Sequence, residues 1–153
     1  MENIGIMGLG IYIPENFIYA DEIARRTNIP QWVIEEKFGV FKKPIPGPQD
    51  TTSFMGIQAA KDAINDAGID PKEIDLVIWT GAQHKDYPCW LASLKVAYEI
   101  GATNAWGFDL EAMCGSMMAA IETAKALMLR NDNLNTVLIA SGYRNVDLIS
   151  YSV

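Results

Sequence analysis

From residue 50 onward, short apolar runs alternate with segments of helical period, and this alternation limits the chain to an α/β fold on a mainly parallel sheet. Segment 51–67 is the clearest amphipathic helix. Its polar stripe is Gln58, Lys61, Asp62, Asn65 and Asp66, at spacings of three and four, opposite Phe54, Met55, Ile57, Ala60, Ala63 and Ile64. Thr51 or Thr52 can cap its start, and Gly68 is placed to end it. Residues 76–79, 105–110 and 136–140 read as strands. The first is apolar throughout, as suits a parallel strand buried on both faces. Between them, helices are predicted from Pro88 to Ile100 and from Cys114 to Arg130.

The upstream part is less regular. Residues 4–13 are apolar and glycine-rich and read as a buried strand stopped by Pro14. Asp21 is predicted to cap a helix running to Thr27, and residues 31–38 to form a second short helix closed by Gly39. Residues 43–49, with three prolines, read as a loop. Gly5, Gly8 and Gly10 do not form a dinucleotide-binding turn, which needs a helix directly after the glycines.

Composition narrows the function classes. Half of the 153 residues are hydrophobic, enough for a core, and the net charge is −7. The densest basic clusters are the pairs Arg25-Arg26 and Lys42-Lys43, so no basic face for nucleic acid is expected. A local basic mouth for an anionic ligand remains compatible with that total. The two cysteines, Cys89 and Cys114, form no CxxC, and His84 is the one histidine, so no metal site is expected. No apolar run is long enough to span a membrane, and the first residues carry no basic leader. A cytoplasmic protein with reduced thiols is the expectation. Residues 147–153 carry no terminating structure, which reads as an open end.

Cys114 is the strongest candidate for chemistry. It stands between a predicted strand and a helix whose opening, Cys114-Gly115-Ser116-Met117-Met118-Ala119-Ala120-Ile121, has no charge, so this end is expected to be deeply buried. The free N–H groups and partial positive charge of a helix N-terminus favour a thiolate and can hold the oxyanion of a thioester under attack. Gly115 lets a substrate approach the backbone. The other reading, which the residues alone favour slightly, is a structural cysteine acting as a small hydrophobe.

Four collinear segments resemble β-ketoacyl-ACP synthase III, a thiolase-superfamily condensing enzyme. Gly8-Leu9-Gly10-Ile11-Tyr12-Ile13-Pro14 is similar to its opening strand, and Gln31-Trp32-Val33 with Gly39-Val40 to the segment at its cofactor mouth. Residues 50–68 resemble its first long helix. Gly107-Phe108-Asp109-Leu110-Glu111-Ala112-Met113-Cys114-Gly115 is similar to its nucleophile motif. The resemblance implies a thiolase-like fold of two similar halves, of which residues 1–153 form an N-terminal half-domain, incomplete at its C-terminal end, with the second half absent.

The implied activity is acyl transfer in fatty acid biosynthesis: Cys114 takes an acyl group from acyl-CoA, then malonyl-ACP decarboxylates and its carbanion attacks the acyl-enzyme. Acyl-CoA is then a substrate, no cofactor is covalently bound, and the partners are acyl carrier protein and a second copy in a homodimer. Trp32 matches the tryptophan that stacks on the CoA adenine, and Lys37 and Arg144 fall near the phosphate-holding positions. Tyr87 lies in the loop, residues 84–89, that lines the partner's acyl pocket. The family's catalytic histidine and asparagine belong to its second half, and His84 matches neither. The isolated chain is therefore expected to be inactive in condensation.

Two departures bear on this reading. Glu111 stands where the family has a small residue, as a second acid or base or as a buried partner for a cation. Pro46-Gly47-Pro48 with Asp50-Thr51 resembles 3-hydroxy-3-methylglutaryl-CoA synthases, yet Thr80-Gly81-Ala82-Gln83 lacks the acid that family needs. The alternatives are thus an enzyme of that type, or a non-catalytic half-domain pairing with another polypeptide.

Overall fold

The computed structural model describes residues 4–81 and 86–144. These form two compact units. The smaller one holds residues 13–50 and Arg144. In it β1 (Asn16–Tyr19) pairs antiparallel with β2 (Lys42–Ile45), from Asn16 opposite Ile45 to Tyr19 opposite Lys42. Residues 43–49 are therefore not all loop. A two-stranded ladder has two edges, and a proline such as Pro44 is tolerated on an edge.

Helix α1 (Ala20–Thr27) follows β1 directly, with Tyr19 and not Asp21 at its N-cap, and Asn28 ends it at φ 54°. The second predicted helix is present over 31–37, most of it a five-residue π-helical turn, Val33–Lys37, and Gly39 follows at φ 69°. Ile18, Ala20, Ile23 and Ile34 form the small core.

The larger unit is built on a parallel three-stranded sheet. Helix α2 (Thr52–Ala67) behaves as its sequence predicts: the Thr51 side chain accepts the Phe54 N–H, and Gly68 ends the helix at φ 65°. Next come β3 (Leu76–Gly81), α3 (Ala92–Ile100), β4 (Trp106–Glu111), α4 (Ser116–Arg130) and β5 (Val137–Ser141). The strand order is β4-β3-β5, all parallel. Central β3 is buried from Leu76 to Thr80.

Alternate residues of β3 point to opposite faces. Val77 and Trp79 pack on Ile57, Ala60 and Ile64 of α2 and Val96 and Ile100 of α3. Leu76 and Ile78 pack on Ala120 and Ala124 of α4. Helices thus cover both faces, as expected. The carboxyl ends of the strands and the N-termini of the helices lie on the same side, the usual place for a site in such a sheet.

The predicted buried strand over residues 4–13 is overturned. Residues 4–12 are extended but join no ladder, and Ile6, Met7, Leu9 and Ile11 are all exposed. The segment lies along α2 instead. Asp66 accepts the Leu9 N–H at 2.9 Å and Asp62 accepts the Ile11 N–H at 3.0 Å. Two carboxylates four residues apart on one helix face meet two amides two residues apart on an extended chain. The glycines make this possible: a Cβ on Gly8 would lie 2.6 Å from the Ala63 oxygen, and one on Gly10 would collide with Ala59 O and Ala63 N. The glycine spacing records a close approach to a helix and not a place in the sheet. A cavity of about 160 Å³ lies at the other end of this unit, between residues 5–8, Ala67 and Thr136.

Candidate active site

Strand β4 carries the chain to the carboxyl edge of the sheet, with Glu111 opposite Gly81 of β3. There the backbone turns sharply. Met113 takes φ 52°, Met113–Gly115 form a single 3-10 turn, and α4 begins at Ser116. Cys114 is at the crest of this elbow as an exposed free thiol. A positive φ on a residue with a Cβ and a long side chain is uncommon and marks a conformation that its surroundings enforce.

The expectation of a deeply buried helix end is corrected here. Cys114 precedes α4 instead of opening it, and Met117 and Met118 are 38% and 63% exposed. Only one side of α4 meets the sheet, through Ala120 and Ala124. The uncharged opening is thus an apolar face without cover among the described residues. Glu111 is exposed as well.

Ser116 is the buried element of the elbow, at 3% exposure. Its Oγ accepts the Ala112 N–H at 2.8 Å and lies 2.8 Å from Gly81 O and 2.7 Å from Met113 O. The Gly115 N–H donates to Ala112 O at 3.0 Å. No side chain caps α4, and no acidic residue sits in its first turn. The positive end of the helix dipole is left uncompensated by the helix itself. Nothing lies within 4 Å of where a Gly115 Cβ would stand, which leaves room beside the thiol for an incoming group.

Residues 86–91, before α3, lie between two carboxylate anchors. The Asp86 carboxylate accepts the Thr52 N–H at 2.9 Å and the Ser53 N–H at 3.0 Å, at the start of α2. The Asp109 carboxylate, on β4, accepts the Ala92 N–H and the Ser93 N–H, both at 2.9 Å, at the start of α3. This remote cap explains why α3 begins at Ala92 and not at Pro88. Between these anchors Tyr87 is exposed, with its ring edge-on to Trp90 at 5.3 Å, and Cys89 is an exposed free thiol. His84 lies outside the described residues.

The remaining predicted residues fall in the smaller unit. Trp32 is 54% exposed at the head of the π-helical turn, and Lys37 is exposed at its end. Arg144 donates from Nη1 to Gly47 O at 2.7 Å and to Asp50 O at 3.2 Å. The guanidinium thus holds the turn that the Asp50 carboxylate also closes by accepting the Gly47 N–H at 2.8 Å. Among the described residues no cluster of three or more histidine, cysteine, aspartate or glutamate side chains could hold a metal ion, and no helix is long and apolar enough to cross a membrane.

A parallel sheet clad by helices on both faces, with a cysteine elbow at its carboxyl edge, is the thiolase-like fold of condensing enzymes. The resemblance read from the sequence is borne out: over most of its own length the chain is similar to β-ketoacyl-ACP synthases III. It is 32% identical over 144 residues to the β-ketoacyl-[acyl-carrier-protein] synthase III of Streptomyces lividans, which covers 94% of this chain and 42% of that protein. The priming β-ketosynthase of the R1128 polyketide pathway superposes with a TM-score of 0.89 at 30% identity, over 97% of this chain and 44% of that one. The 3-oxoacyl-[acyl-carrier-protein] synthase III of Aquifex aeolicus VF5 shares the fold, with a TM-score of 0.83 at 23% identity, over 97% and 47% of the two chains. The chain thus spans less than half the length of these relatives. No protein-family model matches it.

Ser116, Asp109 and the strained Met113 escaped sequence reasoning. A serine two residues after a candidate nucleophile was the available signal for the first. The other two depend on contacts between distant elements.

Proposed function

We propose that the chain is the N-terminal half-domain of an acyltransferase that condenses an acyl-CoA primer with malonyl-ACP, and that Cys114 is its nucleophile. The observation that carries this reading is the exposed Cys114 thiol on a strained elbow before an uncapped helix, in a chain matched over 94% of its length by a β-ketoacyl-ACP synthase III. The thiolate attacks the thioester carbonyl, a carbon–sulfur bond forms, and CoA leaves as its thiolate. The positive end of the α4 dipole stabilises the oxyanion that precedes departure. Trp32 offers a flat, exposed face to the adenine, and Lys37 and Arg144 offer positive charge to the phosphates.

The second half of the protein covers the apolar face of α4, where Met117, Met118 and Leu129 are exposed, and supplies the histidine and asparagine that stabilise the malonyl carbanion. A homodimer forms along β4. That strand is at one end of the sheet order, and the exposed Leu94, Tyr98 and Trp106 lie on it or on α3 beside it. Each copy then lends its Tyr87 loop to the acyl pocket of the other. Free thiols at Cys89 and Cys114 agree with a reducing cytoplasm.

The test is a condensation assay with acyl-CoA and malonyl-ACP. The 153-residue chain alone yields no ketoacyl product, and the same chain joined to a polypeptide completing the fold does. Product from the chain alone, or none from the completed enzyme, contradicts the assignment.

A further inference from the structure

We propose that Ser116 is a positioning residue for the Cys114 nucleophile, its buried hydroxyl holding the elbow that presents the thiol; the inference rests on the reading of Cys114 given above. The hydroxyl is the hub of the turn. It accepts from the Ala112 N–H, on the last residue before the turn, and its one hydrogen reaches Gly81 O at the end of β3 or Met113 O within the turn. It thereby ties the elbow to the central strand of the sheet, the most deeply buried element of the fold.

The turn needs such a tie. Met113 holds φ 52°, in the left-handed region, and its side chain is 54% exposed, so its own packing contributes little to enforcing that conformation. The residue after it is Cys114. If the backbone at Met113 relaxes to negative φ, the direction of the Cys114 Cα–Cβ vector changes with it. Ser116 therefore acts through Met113, on where the thiol points, and not by touching a substrate.

The experiment measures the alkylation of Cys114 relative to Cys89 by iodoacetamide in one sample of the full chain, read by peptide mass. No acyl-CoA is involved, so the result stands or falls independently of whether the chain accepts an acyl group. Ser116→Ala is expected to lower the Cys114-to-Cys89 ratio about tenfold. Ser116→Thr, which restores the hydroxyl, is expected to return it to within about threefold of the parent. So is Met113→Gly in the Ser116→Ala background, because glycine takes positive φ freely. An unchanged ratio in Ser116→Ala overturns the proposal, as does a low ratio that neither partner variant recovers. If circular dichroism shows that Ser116→Ala alone does not fold, the double variant decides: a ratio within threefold of the parent supports the proposal, and a lower one overturns it.

Discussion

The Asp109 carboxylate accepts the backbone N–H of Ser93 at 2.9 Å, which joins the strand leading to Cys114 to the helix that follows the Tyr87 loop. The same carboxylate accepts the Ala92 N–H, so one side chain satisfies two of the free donors of α3. Asp109→Ala leaves both part-buried amides without that acceptor. The expected loss is about 1–3 kcal/mol of stability, read as a lower urea midpoint at unchanged slope, with faster amide exchange over the first turn of α3. An unchanged midpoint would show that the cap contributes nothing.

Gly10 tests the unusual course of the N-terminal segment. An alanine there meets the backbone of α2 at Ala59 and Ala63, which cannot move aside as a side chain tip would. Gly10→Ala is expected to destabilise by about 1–3 kcal/mol, as overpacking does, and to expose the Leu9 and Ile11 amides to exchange. Gly5→Ala, with nothing within 4 Å of its Cβ, is the matched control and is expected to change neither quantity.

The proposed dimer edge predicts a change in association. Leu94→Glu with Tyr98→Glu places charge on the exposed face of α3 beside β4. Sedimentation equilibrium is expected to show association of the parent chain weakened at least tenfold in the variant. A parent that stays a monomer of 16.9 kDa at high concentration contradicts the proposed dimer.

What the sequence disclosed follows from how local each determinant is. Helix α2 was legible because its stripe, its Thr51 cap and its Gly68 stop are all written within the segment. The strands of the parallel sheet were legible because β3 is buried on both faces and reads as a continuous apolar run. The start of α3 was misplaced at Pro88 because its cap, Asp109, comes from a different element. Residues 4–13 were misread because Gly8 and Gly10 answer to a helix far along the chain. At the site, the position of Cys114 at a strand–helix junction was evident from the sequence. Its exposure was not, because an apolar opening such as Met117-Met118 looks the same whether it is buried or awaits a cover. The hold of Ser116 on the elbow arises only once Gly81 and Ala112 are brought to the same corner.

The most direct measurement is the location of the acyl group after incubation with an isotopically labelled acyl-CoA, by intact mass and then peptide mapping. The account predicts one acyl unit, in thioester linkage on Cys114. It is to be lost in Cys114→Ala and largely kept in Cys89→Ala. Label on Cys89 or on a serine, with Cys114 free, would contradict it.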